Sequence, residues 1–251
     1  MLPLFSIITV TYNAESTVRR TLASVAEQPC TLYEHIVVDG LSTDSTPDIV
    51  RSAGNPRLRL VSRKDSGIYD AMNNGLAEAQ GDYIIFLNAG DTFHSPDTLQ
   101  VMADAIMDNH YPGIVYGQTD LVDNDGHKVG ERHLRAPETL TLDSLKDGMV
   151  VCHQAMAVNR RVASAYDLRY RYSADYEWLL RCLQHSRCNV YIPRVICDYL
   201  SEGTTTAHHR ASLRERFSIM VRYFGVWTAV SRHAKFLIRY LRRRSSAANV
   251  Q

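Results

Sequence analysis

With 251 residues, 45% apolar side chains, 13 glycines and 8 prolines, the chain carries enough hydrophobic material for one sizeable core, which excludes the disordered and fibrous classes. The net charge of +1 hides an asymmetry: residues 208–251 hold ten Lys or Arg and one acid, so an acidic body precedes a basic tail. Five cysteines (Cys30, Cys152, Cys182, Cys188, Cys197) are scattered without CxxC spacing, which argues against a zinc site or disulfide framework and for a reducing compartment. No run reaches the roughly 18 apolar residues that span a bilayer and Met1–Ser6 lacks a basic leader region, so the expected location is cytoplasmic.

In chain order, Phe5–Thr11 is a continuous β-branched run and predicts a strand buried on both faces of a parallel sheet. A helix follows, with Asn13 or Ser16 as N-cap, Val18, Leu22 and Val25 at helical spacing, and Pro29 as its stop. The unit recurs as a strand over His35–Val38, the turn Asp39-Gly40 and a helix from Ser45 to Ala53, closed by Gly54 and Pro56. A third strand, Arg57–Val61, leads into a helix over 68–79, and a fourth, Asp82–Leu87, ends at Asn88-Ala89-Gly90-Asp91. This alternation implies a doubly wound sheet, in which ligands bind beyond the carboxyl ends of the strands. Beyond Gly113 the pattern gives a strand over 114–120, a hairpin-like turn at Asp123–Gly126, a mixed segment to 158 and a helix from Ser173 to His185. From 208 to 244 the helical period returns, with Arg and Lys on one side and Phe217, Ile219, Met220, Val221, Phe224, Trp227, Phe236, Leu237 and Leu241 on the other.

The polar residues just after each strand are the candidates for chemistry. Thr11-Tyr12-Asn13 places an aromatic ring where it can lie against a base, and backbone amides where they can face an anion; the same tripeptide also suits a plain strand-to-helix turn. Asp39, released by Gly40, puts a carboxylate at a strand end able to accept from a base or ribose, while Asp44 and Ser45 read as helix caps.

Four segments in register, Ser6–Asn13, Val38-Asp39-Gly40 with Ser42 and Asp44, Asp65-Ser66-Gly67-Ile68-Tyr69-Asp70-Ala71-Met72-Asn73-Asn74-Gly75, and Leu87–Asp91, resemble glycosyltransferase family 2. The resemblance covers residues 4–205 and is strongest to the branch that builds bacterial exopolysaccharides, colanic-acid-type chains and glycolipids. It implies a GT-A fold, a Rossmann-like doubly wound mixed α/β sheet flanked by helices, and an inverting transfer from a nucleotide-sugar donor, UDP by family habit, to a saccharide or lipid-linked acceptor. Tyr12 and Asp39 match positions that hold the donor's base, and Asp65 a carboxylate near base and ribose. Asp70 and Asn73, on one face of a helix's first turn, match positions near the sugar and phosphates, and each also fits a cap or a structural contact. Asn88-Ala89-Gly90-Asp91 matches the DxD metal motif but departs from it, with Asn first and Gly third, so Asp91 is the one carboxylate left for a Mn²⁺ or Mg²⁺ ion. Asp175 matches the catalytic base; the same position suits an acid in a helix's first turn, and Glu177 is a possible substitute. His153-Gln154 matches a pair near the metal or diphosphate, and Ser201–Thr206, with Gly203, resembles a loop that closes over the donor.

The resulting division is a GT-A domain over 1–207, with a nucleotide-binding half at 1–112 and an acceptor half at 113–207, followed by basic amphipathic helices over 208–251. The tail's cations and apolar residues fit an anionic membrane surface at the inner face of the plasma membrane, or else helices packed on the domain with a solvated basic face. No nucleic-acid-reading motif accompanies the basic stripe. Two rivals are a nucleotide-sugar-binding module without turnover and a Rossmann oxidoreductase; Asp175 opposes the first, and the lack of GxGxxG after the first strand opposes the second.

Overall fold

A computed structural model describes residues 2–201 and 209–235. In chain order the elements are β1 (Phe5–Thr11), α1 (Val18–Ala26), β2 (Tyr33–Asp39), α2 (Thr46–Arg51), β3 (Leu58–Ser62), α3 (Ile68–Glu78), β4 (Tyr83–Phe86), β5 (Thr92–Phe93) and α4 (Thr98–Asp108). There follow β6 (Ile114–Val122), β7 (Lys128–Glu131), β8 (Met156–Asn159), α5 (Ala174–His185), β9 (Asn189–Leu200), α6 (His209–Phe224) and a further helix over 226–235. One mixed sheet runs β3-β2-β1-β4-β8-β6-β9-β5, with β7 paired to β6 at the expected Asp123–Gly126 hairpin.

The first four strands are parallel, with Thr11 beside Asp39 and Ile8 beside Phe86 in register. Chain order turns back between β1 and β4, so their carboxyl ends flank a crevice of the kind that receives ligands in open α/β sheets. The strand β1 is buried along its whole length: Phe5 and Ile7 join the core under α4, whereas Ile8 and Val10 join the core under α3 and α5. That two-sided burial is why its sequence is continuously apolar instead of alternating.

Several boundaries differ from the sequence expectation. Neither Asn13 nor Ser16 caps α1, whose N-cap is Thr17; Asn13 stands in the left-handed region at φ 49° and ties two loops together instead. The helix expected over Ser45–Ala53 is shorter, and the amide of Thr46 donates to the Asp44 carboxylate, as a cap does. The helical tail is broken at Gly225, which has φ 82°. On its first part Ile219 and Met220 are buried in the main core, but after the break Ala229 is buried and Trp227 is 83% exposed, so Trp227 is not on the packed side as the helical period predicts. Residues 202–208 and 236–251, including Gly203, Phe236, Leu237 and Leu241, lie outside the described residues.

Candidate active site

Three loops meet at the carboxyl ends of β1, β2 and β3. The Asn13 amide N–H donates to Ser42 Oγ at 2.9 Å, and Asn13 Oδ1 accepts from the Thr43 amide at 2.9 Å. Leu41 also stands in the left-handed region, at φ 63°. Two non-glycine residues held in that region are kept there by the contacts around them. Asp39 is 1% exposed and accepts from Thr11 Oγ1 at 3.2 Å, from Ser42 Oγ, and at Oδ2 from the Ser42 amide at 3.1 Å. It therefore organises these loops from below, and Tyr12, 66% exposed, presents the ring.

Gly40 has no room for a side chain: a Cβ would lie 2.5 Å from Asp65 Oδ2 and 3.5 Å from the Tyr12 ring. Tyr12, Gly40 and Asp65 are thus one assembly, although 53 residues separate the first from the last by number. The other Asp65 oxygen accepts from the Gly67 amide at 2.9 Å, which fixes the turn into α3.

In the first turns of α3, Asp70 and Asn73 are drawn into structural contacts. Asp70 Oδ2 accepts from the Ser66 amide at 2.8 Å and from Ser66 Oγ at 2.9 Å, in the manner of a capping box. Asn73 clamps the backbone of Tyr166, donating to its carbonyl at 3.0 Å and accepting from its amide at 2.6 Å. Tyr69, on the same helix, is the member that reaches α5: its hydroxyl donates to Asp175 Oδ1 at 3.1 Å. Sequence reading passed over Tyr69, although it stands beside Asp70 in the motif; only the approach of α5 gives it a partner.

The turn after β4 brings the remaining residues together. Gly90, at φ 102°, would carry a Cβ 2.7 Å from Leu200 Cδ2, so glycine allows Asp91 to close against β9. Asp91 is 3% exposed; Oδ1 accepts from the Leu200 amide at 2.9 Å and Oδ2 from Gln154 Nε2 at 2.8 Å. Burial pushes its pKa up to about 6 despite those bonds. Asn88 Nδ2 lies 3.3 Å from His153 Nε2, and Asn88 Oδ1 is buried without a hydrogen-bond partner. His153 Nδ1 in turn lies 3.7 Å from Asp175 Oδ2. When Asn88 Nδ2 donates to Nε2, the ring proton sits on Nδ1, facing Asp175.

Asp175 is the second residue of α5 and retains 23% side-chain exposure. Burial raises its pKa, but His153, the Arg216 charge and the Tyr176 amide outweigh this and hold it below the usual carboxylate range. Oδ1 is occupied by Tyr69 and by the Tyr176 amide at 2.9 Å, so Oδ2 is the less encumbered oxygen. Glu177, by contrast, is 1% exposed and commits its two oxygens to Arg181 at 2.8 Å and Tyr223 at 2.8 Å, a pairing that joins α5 to α6.

A divalent ion is tested by the donors at the end of β4. An orphaned Asn88 Oδ1 and a nearby buried carboxylate whose charged form burial disfavours are hard oxygen donors of the kind Mg²⁺ and Mn²⁺ take, and a cation would relieve both conditions. The residues fit such an ion.

The switch-point crevice thus sets the Asp175 carboxylate opposite the polar turn after β4. The glycosyl transferase family 2 profile matches residues 6–166, and the chain belongs to that family. A PGL/p-HBAD biosynthesis glycosyltransferase of Mycobacterium tuberculosis is 35% identical over 208 residues, covering 80% of this chain and 78% of the relative. A putative teichuronic acid biosynthesis glycosyltransferase of Bacillus subtilis, TuaG, is 34% identical over 158 residues, covering 61% of this chain and 62% of the relative. Among solved structures, S. aureus TarS residues 1–349 in complex with UDP-GlcNAc superposes with a TM-score of 0.70 at 20% identity, over 94% of this chain and 72% of that one. The mannosyltransferase PcManGT from Pyrobaculum calidifontis, in complex with GDP-Man and Mn²⁺, gives a TM-score of 0.67 at 17% identity, over 100% of this chain and 81% of that one. The fold is accordingly GT-A and the protein is a glycosyltransferase.

Proposed function

We propose that the protein is an inverting glycosyltransferase that moves a sugar from a nucleoside diphosphate, UDP in the first instance, to a hydroxyl of a saccharide or lipid-linked acceptor. The observation that carries this reading is the ionised, one-sided carboxylate of Asp175, joined through His153 to Asn88 at the end of β4. Asp175 Oδ2 takes the acceptor hydroxyl's proton while the acceptor oxygen attacks the anomeric carbon from the side opposite the diphosphate. A single carboxylate acting as base suits one displacement and hence inversion. Tyr69 holds the other carboxylate oxygen and fixes the direction of Oδ2. On the donor side, Tyr12 covers the base, Asp39 and Asp65 supply acceptors for base and ribose, and Thr11 and Asn13 keep the loops in place. His153 and Gln154 line the diphosphate end. Asn88 and Asp91 would hold a Mn²⁺ or Mg²⁺ ion, which when bound offsets charge on the departing diphosphate.

The lipid-linked acceptor is supported by the mycobacterial relative's name and by the helix over 226–235, where Val226, Trp227, Val230 and Lys235 are exposed. An exposed Trp on a helix of a basic segment suits docking on anionic lipid at the inner face of the plasma membrane. Phosphatidylglycerol vesicles should pellet the full chain, neutral phosphatidylcholine vesicles should not, and Trp227→Ser should weaken pelleting several-fold; equal binding to both lipids would contradict the docking.

Calorimetry with UDP, GDP and dTDP, each with Mn²⁺, Mg²⁺ or EDTA, tests the donor site. UDP binding that strengthens with metal and weakens at least tenfold in Asp91→Ala is the expected result. Preference for GDP would replace the nucleotide, and no binding to any would sink the proposal.

A further inference from the structure

The basic tail begins with a helix whose one acid points back into the catalytic half. Glu215, on α6, accepts from three consecutive backbone amides: Arg171 at 2.8 Å and Tyr172 at 2.8 Å, and Ser173 at 3.0 Å. These amides lead directly into α5, whose second residue is Asp175. The first N–H groups of a helix have no partner within it and carry its positive end, so a carboxylate there satisfies donors and interacts favourably with the dipole.

The residue that would ordinarily supply the cap does not. Ser173 is the N-cap of α5 but makes no side-chain cap bond; its Oγ lies 3.2 Å from the Ser212 carbonyl and 3.1 Å from Ser212 Oγ, both on α6. Of the three amides only that of Ser173 belongs to the N-cap residue; those of Arg171 and Tyr172 precede the helix, so Glu215, 42 to 44 positions later, fixes the approach of the chain to α5. The rest of α6 reinforces the contact: Ile219 and Met220 are buried in the core that holds Trp178 and Leu179 of α5.

We infer that Glu215 is a positioning residue for the base, resting on the reading of Asp175 as that base: it locks the amides of 171–173 so that Asp175 Oδ2 stays aimed between His153 and the acceptor. The consequence is that the tail's first helix belongs to the catalytic unit. Glu215 itself touches neither substrate nor reacting atoms.

The test compares wild type, Glu215→Ala, Glu215→Gln and Asp175→Asn in the full chain. Hydrogen exchange is followed in the peptide covering 168–176, UDP affinity by calorimetry, and UDP release from UDP-glucose, UDP-galactose and UDP-N-acetylglucosamine gives turnover. In Glu215→Ala, exchange at 171–173 should accelerate and kcat should fall at least tenfold with UDP affinity within twofold of wild type. Glu215→Gln, which keeps an acceptor oxygen, should recover part of both. Protected amides in Glu215→Ala, or kcat within twofold of wild type, would overturn the assignment, as would loss of UDP affinity in step with kcat, the mark of general unfolding. If Asp175→Asn retains turnover, or the wild type releases UDP from none of the three donors, the base reading fails instead. The exchange result then reports the cap by itself.

Discussion

Gly40 and His35 show how single residues set what the donor side tolerates. Alanine at position 40 would place its Cβ 2.5 Å from Asp65 Oδ2, so the carboxylate has to move away from the Tyr12 ring. Gly40→Ala should therefore lower UDP affinity at least tenfold in calorimetry with little loss of thermal stability; unchanged affinity would separate Asp65 from the donor site. His35 is fully buried, bonds Thr9 Oγ1 through Nε2 at 2.9 Å and leaves Nδ1 without a partner. Burial lowers its pKa to about 3 from 6.5. Above pH 6.5 the ring is neutral in both folded and unfolded chains. As pH falls below 6.5 the unfolded chain takes up a proton that the folded protein refuses until about pH 3. Stability is lost through that window at about 1.4 kcal/mol per pH unit. Urea unfolding of wild type and His35→Gln at pH 7 and pH 5 should show the difference between them move by about 2 kcal/mol in favour of the variant at the lower pH. An identical difference at both values would contradict the burial argument.

Among the elements, α3 carries the residue for which a donor role and a structural role were equally readable in sequence. Asn73 uses both ends of its amide on the Tyr166 backbone, so it joins the nucleotide-binding half to the segment that precedes α5. Asn73→Ala leaves a backbone donor and acceptor at a buried residue unpaired, and should cost about 2–3 kcal/mol. The check is a urea midpoint that falls with the slope unchanged; a loss of nucleotide affinity without loss of stability would restore the donor role. Such pairings explain what was legible. The strands β1 to β4 and the helices between them could be read because their apolar runs and glycine turns are local signals. The short β5, the strands β8 and β9 and the helix α4 were not separately legible, because β8 and β9 take their place from partners far along the chain and β5 is two residues long. Tyr69 and Glu215 escaped for the same reason: each acquires its partner only when α5 is packed between α3 and α6.

Across the whole molecule, the proposed function gives the two halves opposite sides of one reaction: the turns after the parallel strands would hold nucleotide and diphosphate, and α5, braced by α6, would carry the base. The motif order along the chain offered candidates for the first side and Asp175 for the second, but not the tie of α5 to the tail, since a helix rich in Arg gives no local sign that its one acid is the structural contact. The charge asymmetry that marks off the tail is compatible with α6 packing inward and the following helix leaving Trp227 exposed. The most direct measurement is release of UDP from a UDP-sugar panel by wild type and Asp175→Asn, in Mn²⁺ and in EDTA. Metal-dependent release by the wild type, reduced at least a hundredfold in Asp175→Asn with UDP affinity preserved, is the predicted result; comparable release by Asp175→Asn would contradict Asp175 as the base.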